Sequence, residues 1–295
     1  MSVPLDLKGV FVPNVTPFSA QSVDEAALRR LLDYLLEQDI AGIAPCGTTG
    51  ESATLSHAEH RRVVELTIEH VAGRKPVIAG AGSNSTAEAI ELVKHAEGAG
   101  ASAVLIICPY YNRPTQAGLI AHFTKLAEAI SIPIIVYNIP KRTGVNMEAP
   151  TTAQLSHVPN IVGVKEASGD LLQVAEIIRR AKPGFAVLSG DGNLTFPICC
   201  LGGVGGILAD AHILPGEWSR MVKLIAAGKL EEAREIHYRL LPIGHALFVE
   251  SNPAPVKAAL EMMGVCAAMT RLPLLSATDS CRSLLREELH KLGLV

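Results

Sequence analysis

The chain has few aromatic residues and no excess of basic ones. Aromatic side chains make up 4% of its 295 residues, and 26 Lys and Arg are set against 29 Asp and Glu, which gives a formal net charge of −3. Proteins that bind nucleic acid depend on cationic side chains that neutralise phosphates, and the sequence has no basic stripe or arginine cluster. A nucleic-acid partner is therefore not expected.

Long hydrophobic runs are also missing. The longest apolar runs, such as AVLIIC at 103–108, are far below the roughly 20 residues that span a bilayer. Asp6 and Lys8 stand where a signal peptide would have its apolar stretch. We expect a cytoplasmic protein with no membrane partner.

The six cysteines form no CxxC pair and mostly lie in apolar stretches. A disulfide framework or a zinc site would need paired spacing, so reduced and packed thiols are the better interpretation. The sequence shows no constellation of metal ligands, and we expect no metal site.

The chain is instead rich in aliphatic residues, as expected when strands are buried on both faces by helices. Short runs rich in Val and Ile recur roughly every 20 to 35 residues, with amphipathic helical patterns between them. The eight runs lie at 9–15, 41–46, 76–82, 103–109, 133–140, 161–168, 186–191 and 205–210. Eight alternations of strand and helix predict an α/β protein with a closed parallel (β/α)8 barrel, the TIM barrel.

After residue 228 the pattern changes to helices without strands. We assign 1–228 to a catalytic barrel domain and 229–295 to a C-terminal helical extension packed on it, since no flexible linker separates the two. Thr278 or Asp279 is the expected N-cap of the last helix.

In such a barrel the reactive groups lie at the carboxyl ends of the strands. The second strand is followed by GTTGES at 47–52, whose hydroxyls and backbone N–H groups suit a small carboxylate or carbonyl. The loop lacks the lysine and the spacing of a Walker loop, which disfavours a nucleotide phosphate. A tight turn without a ligand is the alternative.

The sixth strand carries a lysine. A period of two places Val162 and Val164 on one face and Gly163 and Lys165 on the other. If the face with Lys165 points into the barrel, burial disfavours its ammonium form and the amine becomes a nucleophile for a carbonyl. The alternative is a lysine that reaches solvent or pairs with Glu166.

Tyrosines follow the fourth and fifth strands, in CPYYNRPT at 108–115 and VYNIPKRTG at 136–144. A phenol near the amine could transfer protons during imine formation, and Thr48 could link two phenols through its hydroxyl. Arg142 has the forked donor geometry that binds a carboxylate. Packing tyrosines and a surface arginine are the alternatives.

The segments GTTGES, CPYYNRP, YNIPKRTG, GVKEASGD and LSGD occur in this order on strands two, four, five, six and seven. Together they resemble the dihydrodipicolinate synthase branch of the pyruvate-dependent class I aldolase family. The resemblance extends from VTPF at 15–18 to FVESNPAPVK at 248–257, and so covers nearly the whole chain. It implies a lyase that needs no cofactor, because an imine between pyruvate and a lysine is the electron sink.

The resemblance implies catalytic roles for four residues. Lys165 resembles the lysine that forms a Schiff base with pyruvate, and Tyr137 resembles the neighbouring tyrosine that moves protons. Thr48 and Tyr111 resemble the other members of a hydroxyl relay, with Tyr111 crossing from a neighbouring subunit. The implied assembly is a homotetramer built as a pair of tight dimers.

The resemblance also implies how the substrates are held. Thr49 and the backbone of its loop resemble the cradle of the pyruvate carboxylate, and Gly190 and Ile207 line the pocket. Arg142 resembles the residue that holds the carboxylate of L-aspartate 4-semialdehyde. The implied reaction is the condensation of this aldehyde with pyruvate in lysine and diaminopimelate biosynthesis.

A second site is implied for L-lysine, the end product, as a feedback inhibitor. The matching positions are Ser52, Ala53, His57, His60, Asn84, Glu88 and Tyr110. Without the resemblance, the two histidines are equally well explained as surface residues of a helix.

Other members of the family remain as alternatives. N-acetylneuraminate lyase, 4-hydroxy-2-oxoglutarate aldolase and sugar-acid dehydratases share the lysine and accept other substrates, although Arg142 argues against them. Leu208, Ala209 and His212 depart from the residues usual in the synthase branch, and we expect this end of the eighth strand to face the pocket rim. A non-catalytic regulator or binding protein is the alternative of another class, and the presence of both Lys165 and Tyr137 argues against it.

Overall fold

The computed structural model describes residues 5–20 and 22–295. In this part of the chain, eight parallel strands form the main sheet. They are β1 (Gly9–Val12), β2 (Gly42–Ile43), β3 (Ile78–Gly80), β4 (Ala103–Ile107), β5 (Ile134–Asn138), β6 (Ile161–Glu166), β7 (Ala186–Ser189) and β8 (Gly205–Ile207). The strand order is β2-β1-β8-β7-β6-β5-β4-β3, and a bridge between Ile43 and Val77 joins the two ends. The sheet is therefore closed into the predicted TIM barrel.

Helices follow the strands and cover the barrel. They are α1 (Glu25–Leu36), α2 (His57–Val71), α3 (Thr86–Ala99), α4 (Gln116–Ala129), α5 (Pro140–Thr143), α6 (Ala149–Leu155), α7 (Leu171–Arg180), α8 (Gly192–Cys200), α9 (Pro215–Ala226), α10 (Leu230–Ala246), α11 (Ala254–Met262) and α12 (Asp279–Lys291). Short 3₁₀-helices lie at Ser52–Thr54 and Ala209–His212, and Phe18–Ser19 pairs with Ser22–Val23.

Polar side chains cap the N-termini of several helices. The Asp24 carboxylate accepts a hydrogen bond from the backbone of Ala27 at the start of α1. Ser56 and Glu59 form a capping box at the start of α2. Thr278 is the N-cap of α12, one of the two residues predicted for it.

The strands are buried on both faces, which explains the aliphatic composition. One cluster fills the barrel and includes Phe11, Leu105 and Leu188. A larger cluster between the strands and the helices includes Val104 and Val136. The interior is therefore packed with side chains and is not a pore.

The predicted alternation along β6 is wrong at one residue. Val164 packs in the outer cluster, but Val162 packs against the cluster inside the barrel. The cause is a register irregularity, because Ile134 pairs with Ile161 whereas the next residue of β5 pairs with Gly163. A bulge of this kind adds one residue to a strand and changes the face of the residues before it.

The C-terminal helices pack on the barrel and on each other. Helix α10 packs against α8, α9 and α12, and α11 packs against α12. The boundary predicted at residue 228 falls in the turn between α9 and α10. Its assignment as a domain boundary stays a prediction.

No helix within residues 5–20 and 22–295 is both long and apolar enough to cross a membrane. The same residues contain no group of three or more His, Cys, Asp or Glu side chains placed to hold a metal ion. All six cysteines are free thiols, and only Cys200 is exposed.

Candidate active site

Lys165 lies inside the barrel near the end of β6, in register with Tyr137 on β5 and Leu188 on β7. The side chain is 5% exposed, and its amine lies 4.3 Å from the centre of the Tyr137 ring. Burial lowers the pKa of Lys165 to about 7, an effect that Asp210 opposes and Arg142 reinforces. A substantial fraction of the amine is therefore neutral at neutral pH.

The neighbouring carboxylate does not pair with this amine. Glu166 is buried, and its oxygens accept hydrogen bonds from Asn138 Nδ2 at 3.0 Å and from the Ser168 backbone at 2.7 Å. Successive residues of a strand point to opposite faces, so Glu166 and Lys165 are separated by the sheet. The alternative of a Lys165–Glu166 pair is thus ruled out.

Tyr137 and Thr48 bring hydroxyl groups to the same place. Burial raises the pKa of Tyr137 to about 12, and a hydrogen bond with Thr48 and the charge of Arg142 oppose the rise. Both residues line a small cavity of about 40 Å³ between the loop after β2 and the ends of β4 and β5. The phenol is therefore protonated at neutral pH and connected to a second hydroxyl, as a proton relay requires.

Gly190 adjoins the Lys165 side chain, and Ile207 lies in the cluster that fills the barrel. A Cβ atom on Gly190 would lie 3.0 Å from Lys165 Cε and 2.7 Å from the Ala167 side chain. Any other residue at this position would displace the lysine. Ile207 is fully buried in the cluster that fills the barrel.

The GTTGES loop is held by the C-terminal part of the chain. Thr49 is 3% exposed, and its hydroxyl accepts a hydrogen bond of 2.9 Å from Asn252 Nδ2. Arg142 donates a 3.2 Å hydrogen bond to the backbone carbonyl of Asn252. One residue between α10 and α11 therefore connects two predicted carboxylate-binding residues.

A buried ion pair fixes the other end of this loop. Glu51 has a left-handed backbone with a φ of 55°, and its carboxylate is paired with Lys257 of α11. The Arg271 backbone also donates to Glu51 at 3.1 Å, and the Lys257 amine donates to the Met269 carbonyl at 2.7 Å. Both charged groups are therefore paired and hydrogen-bonded where no solvent reaches their side chains.

A larger cavity of about 410 Å³ opens beside the relay and is lined by Thr48 and Arg142. Six of the seven predicted lysine-binding residues also line it: Ser52, Ala53, His57, His60, Glu88 and Tyr110. Asn84 does not line the cavity, and its backbone carbonyl accepts a hydrogen bond from Asn112. The structure therefore brings together six of these residues and leaves the seventh beside them.

The electrostatics of this cavity are set by Glu88. His57 Nε2 lies 2.7 Å from a Glu88 oxygen, and Ser83 donates a hydrogen bond to the other oxygen. Burial lowers the pKa of His60 to about 4, so that ring is neutral at physiological pH. A carboxylate with one exposed histidine and one neutral ring is a suitable partner for an ammonium group.

Tyr111 is not brought to this site by its own chain. Its side chain is 89% exposed, and its backbone is left-handed with a φ of 70°. Non-glycine residues rarely adopt this conformation, and Tyr111 lines neither of the two cavities described above. A role for Tyr111 thus requires a second subunit.

The expectation that the three departures after β8 face the pocket rim is wrong. Leu208 and Ala209 pack in the outer cluster between the strands and the helices. His212 is fully buried, its Nε2 accepts from the Val15 backbone at 3.2 Å, and its Nδ1 donates to the Ala209 carbonyl at 2.8 Å. The chain turns into a 3₁₀-helix directly after β8, which directs these side chains outward.

Sequence reasoning missed Asp210, Asn252 and Lys257. Asp210 is 1% exposed and acts electrostatically on Lys165. The sequence feature that could have indicated Asp210 is its position as a single acidic residue just after an apolar strand. For the other two, the signal was the segment FVESNPAPVK, which belongs to the resemblance but had no assigned role.

Comparison with known proteins identifies the family. The chain matches the model of the dihydrodipicolinate synthetase family over residues 6–292. It belongs to this family. A relative from Syntrophus aciditrophicus named 4-hydroxy-tetrahydrodipicolinate synthase is 51% identical, over 98% of this chain and 99% of the relative. The resemblance seen in the motifs is thereby confirmed.

Two solved structures of family members carry ligands. Dihydrodipicolinate synthase from Cyanidioschyzon merolae with lysine bound is 43% identical with a TM-score of 0.95, over 98% of this chain and 99% of that one. The chloride-inhibited enzyme from Acinetobacter baumannii complexed with pyruvate is 40% identical with a TM-score of 0.96, over 98% of this chain and 100% of that one. The chain therefore has the same fold as these two enzymes.

Proposed function

We propose that this chain is a lyase that condenses pyruvate with L-aspartate 4-semialdehyde, the reaction of a 4-hydroxy-tetrahydrodipicolinate synthase. The observation that carries the proposal is the buried Lys165 amine, whose pKa is lowered to about 7 and which lies 4.3 Å from the Tyr137 ring. Relatives with this activity in their names match over nearly the whole chain. The function belongs to lysine and diaminopimelate biosynthesis.

The chemistry follows from an amine in a dry pocket. Lys165 attacks the ketone carbon of pyruvate, and loss of water gives an iminium whose positive nitrogen makes the methyl protons acidic. Proton loss gives an enamine, whose carbon attacks the aldehyde. The amine of the semialdehyde then attacks the imine carbon, closes the ring and displaces Lys165, which releases 4-hydroxy-tetrahydrodipicolinate.

Hydroxyl groups move the protons in these steps. Tyr137 and Thr48 share a hydrogen bond, and the high pKa of Tyr137 makes it a donor that recovers its proton readily. Tyr111 extends the relay from a neighbouring subunit. No external cofactor takes part, because the iminium itself accepts the electrons.

The carboxylates of the substrates are held on either side of the lysine. Thr49 and the backbone of its loop bind the pyruvate carboxylate, with Gly190 and Ile207 as the pocket wall. Arg142 binds the semialdehyde carboxylate at the mouth of the larger cavity, where it is an exposed donor on the lining. An arginine at this position favours an acidic aldehyde over a sugar.

Borohydride trapping tests the nucleophile. Borohydride added with pyruvate should reduce the imine and attach the product to Lys165, as peptide mass spectrometry will show. Lys257 is an internal control, because it is also buried but its amine is paired with Glu51. A folded protein without an adduct on Lys165 would contradict the proposal.

A second assay tests the aldehyde. Aspartate semialdehyde, N-acetylmannosamine and glyoxylate are offered in parallel with pyruvate, and consumption of pyruvate is measured. We expect pyruvate to be consumed much faster with aspartate semialdehyde than with either of the other two aldehydes. A preference for either of the others would identify the N-acetylneuraminate lyase or the 4-hydroxy-2-oxoglutarate aldolase type.

We further propose that L-lysine binds in the cavity of about 410 Å³ and inhibits the enzyme. Glu88 would receive the ammonium group, and the hydroxyl of Tyr110 would help to hold the carboxylate. The lysine-bound relative from Cyanidioschyzon merolae supports the proposal. Initial rates should fall in millimolar lysine, and unchanged rates would refute it.

A further inference from the structure

Asp210 is a buried carboxyl group that the reaction described above does not use. It lies in the 3₁₀-helix directly after β8, is 1% exposed, and accepts no side-chain hydrogen bond at either oxygen within the described residues. Burial and the nearby charge of Asp191 raise the pKa of Asp210 to about 7, while the backbone N–H groups of Asp210 and Gly192 and then the amine of Lys165 oppose the rise. A buried carboxylate without a side-chain hydrogen-bond donor is unfavourable, so a specific reason for its presence is expected.

The backbone leaves space for this carboxyl group next to the lysine. A Cβ atom on Gly190 would press on Lys165 Cε at 3.0 Å, and a Cβ atom on Gly192 would overlap the carboxyl group of Asp210. Both side chains therefore lie against the same short turn between β7 and α8. A Cβ atom on Gly244 of α10 would approach Asp210 Oδ1 to 3.3 Å, so the carboxyl group is enclosed on that side as well.

Few other charges act on this pair. Asp191, from the turn between β7 and α8, faces Asp210, and Arg142, from α5, acts on Lys165. Helix α10 meets the carboxyl group through Gly244, which has no side chain. The Lys165 amine is thus the cation whose charge acts on Asp210.

We propose that Asp210 is a positioning residue that acts through Lys165, as the internal counter-charge of the iminium formed with pyruvate. This inference rests on the proposed Schiff-base function. Iminium formation breaks the C=O bond of the ketone, makes a C=N bond, releases water and consumes one proton. When Asp210 gives up that proton, a neutral amine and carboxylic acid become an iminium and a carboxylate, and the barrel gains no net charge.

Asp210→Asn tests this role, because it keeps the shape and removes the charge. Without the carboxylate the pKa of Lys165 falls, so the midpoint of imine formation against pH should move down by about one unit. The pyruvate iminium also loses its counter-charge, and its population at saturation should fall about tenfold. Borohydride-trapped adduct, quantified by mass spectrometry across pH, measures both effects.

Two further variants separate electrostatics from structure. Asn193→Ala is the matched control, because Asn193 also faces Gly244 but carries no charge, and it should leave the midpoint unchanged. Asp210→Ala combined with Gly192→Asp returns a carboxylate to the same space and should restore the midpoint of the unmodified protein. An unchanged midpoint in Asp210→Asn, with only a uniform loss of adduct, would overturn the inference.

A measurement on the unmodified protein does not depend on the folding of any variant. Infrared difference spectra should show that pyruvate converts one protonated carboxyl group into a carboxylate. If the protein forms the adduct without this change, Asp210 is not the counter-charge. If it forms no adduct at all, the proposed function itself fails, so the two failures are distinct.

Discussion

At the scale of single residues, the reactivity of Lys165 depends on the surroundings of its amine. Burial between Tyr137 and Gly190 lowers its pKa to about 7, and only the neutral amine has the lone pair that attacks a ketone. We expect kcat/KM for pyruvate to fall about tenfold for each pH unit below the pKa of this amine. Initial rates between about pH 5.5 and about pH 9 will measure this limb, and a midpoint near that of a free lysine, about 10.4, would contradict it.

The phenol beside the amine has a separable role. Tyr137→Phe removes the hydroxyl that shares a hydrogen bond with Thr48, and we expect kcat to fall about 100-fold or more, as for the loss of a general acid–base group. Tyr34→Phe is the matched control. Tyr34 is another tyrosine whose pKa burial raises to about 12, and its hydroxyl donates at 3.0 Å to the His212 carbonyl.

The control should cost about 1 kcal/mol of folding stability for one lost hydrogen bond, with kcat retained. Steady-state kinetics and urea denaturation of both variants give the comparison. An equal loss of kcat in the two would show that Tyr137 acts only by packing.

The sequence predicted those site residues that follow directly from strand ends. Lys165 and Tyr137 lie at the carboxyl ends of their strands and Thr48 lies in the loop after β2, so a barrel alone brings them together. The partner of Thr49 could not be predicted in this way, since Asn252 is 203 positions away along the chain. The role of Asp210 could not be predicted either, because its environment depends on the space left by two glycines, Gly192 and Gly244.

At the scale of elements, α11 holds the substrate loop through a buried ion pair. The Lys257 and Glu51 side chains are both 0% exposed. Lys257→Met leaves the carboxylate buried without its partner, and we expect a loss of about 3–5 kcal/mol in the free energy of unfolding. The double variant Glu51→Gln with Lys257→Met should recover most of this loss.

Chemical denaturation provides the measurement, and an exposed pair provides the control. Lys223 and Asp39 are 63% and 65% exposed, so Lys223→Met should change the free energy of unfolding by less than about 1 kcal/mol. Equal effects of the two substitutions would mean that the buried pair does not hold the loop.

The elements themselves were predictable where the pattern depends on burial alone. All eight strands lie within the predicted runs, because each is covered on both faces by apolar side chains. The irregularity that turns Val162 inward and the 3₁₀-helix that carries Asp210 were not predictable. The first depends on hydrogen bonds to the neighbouring strand and the second on local hydrogen bonds such as that from Ala211 to Leu208, and neither follows from the hydrophobic period of the segment.

At the scale of the whole molecule, the barrel leaves large apolar side chains at the surface. Tyr111, Leu172, Leu272 and Leu275 are 89%, 80%, 76% and 74% exposed. Contacts between subunits would cover such side chains, and the homotetramer built from two dimers stays a prediction that sedimentation or light scattering can measure.

The site itself can report whether subunits share it. In a mixed dimer of Lys165→Ala and Tyr111→Phe chains, one site has an intact lysine from one subunit and an intact Tyr111 from the other. Its second site lacks both the lysine and the tyrosine.

If Tyr111 crosses between subunits, random mixing of the two inactive variants in equal amounts should restore about a quarter of the unmodified activity. If Tyr111 served its own chain, no mixed site would be complete and mixing would restore nothing. Each variant dissociated and reassociated alone is the control, and its own residual rate is the baseline. The exposure of Tyr111 on a left-handed turn, away from a lysine that is 5% exposed, makes recovery the expected result.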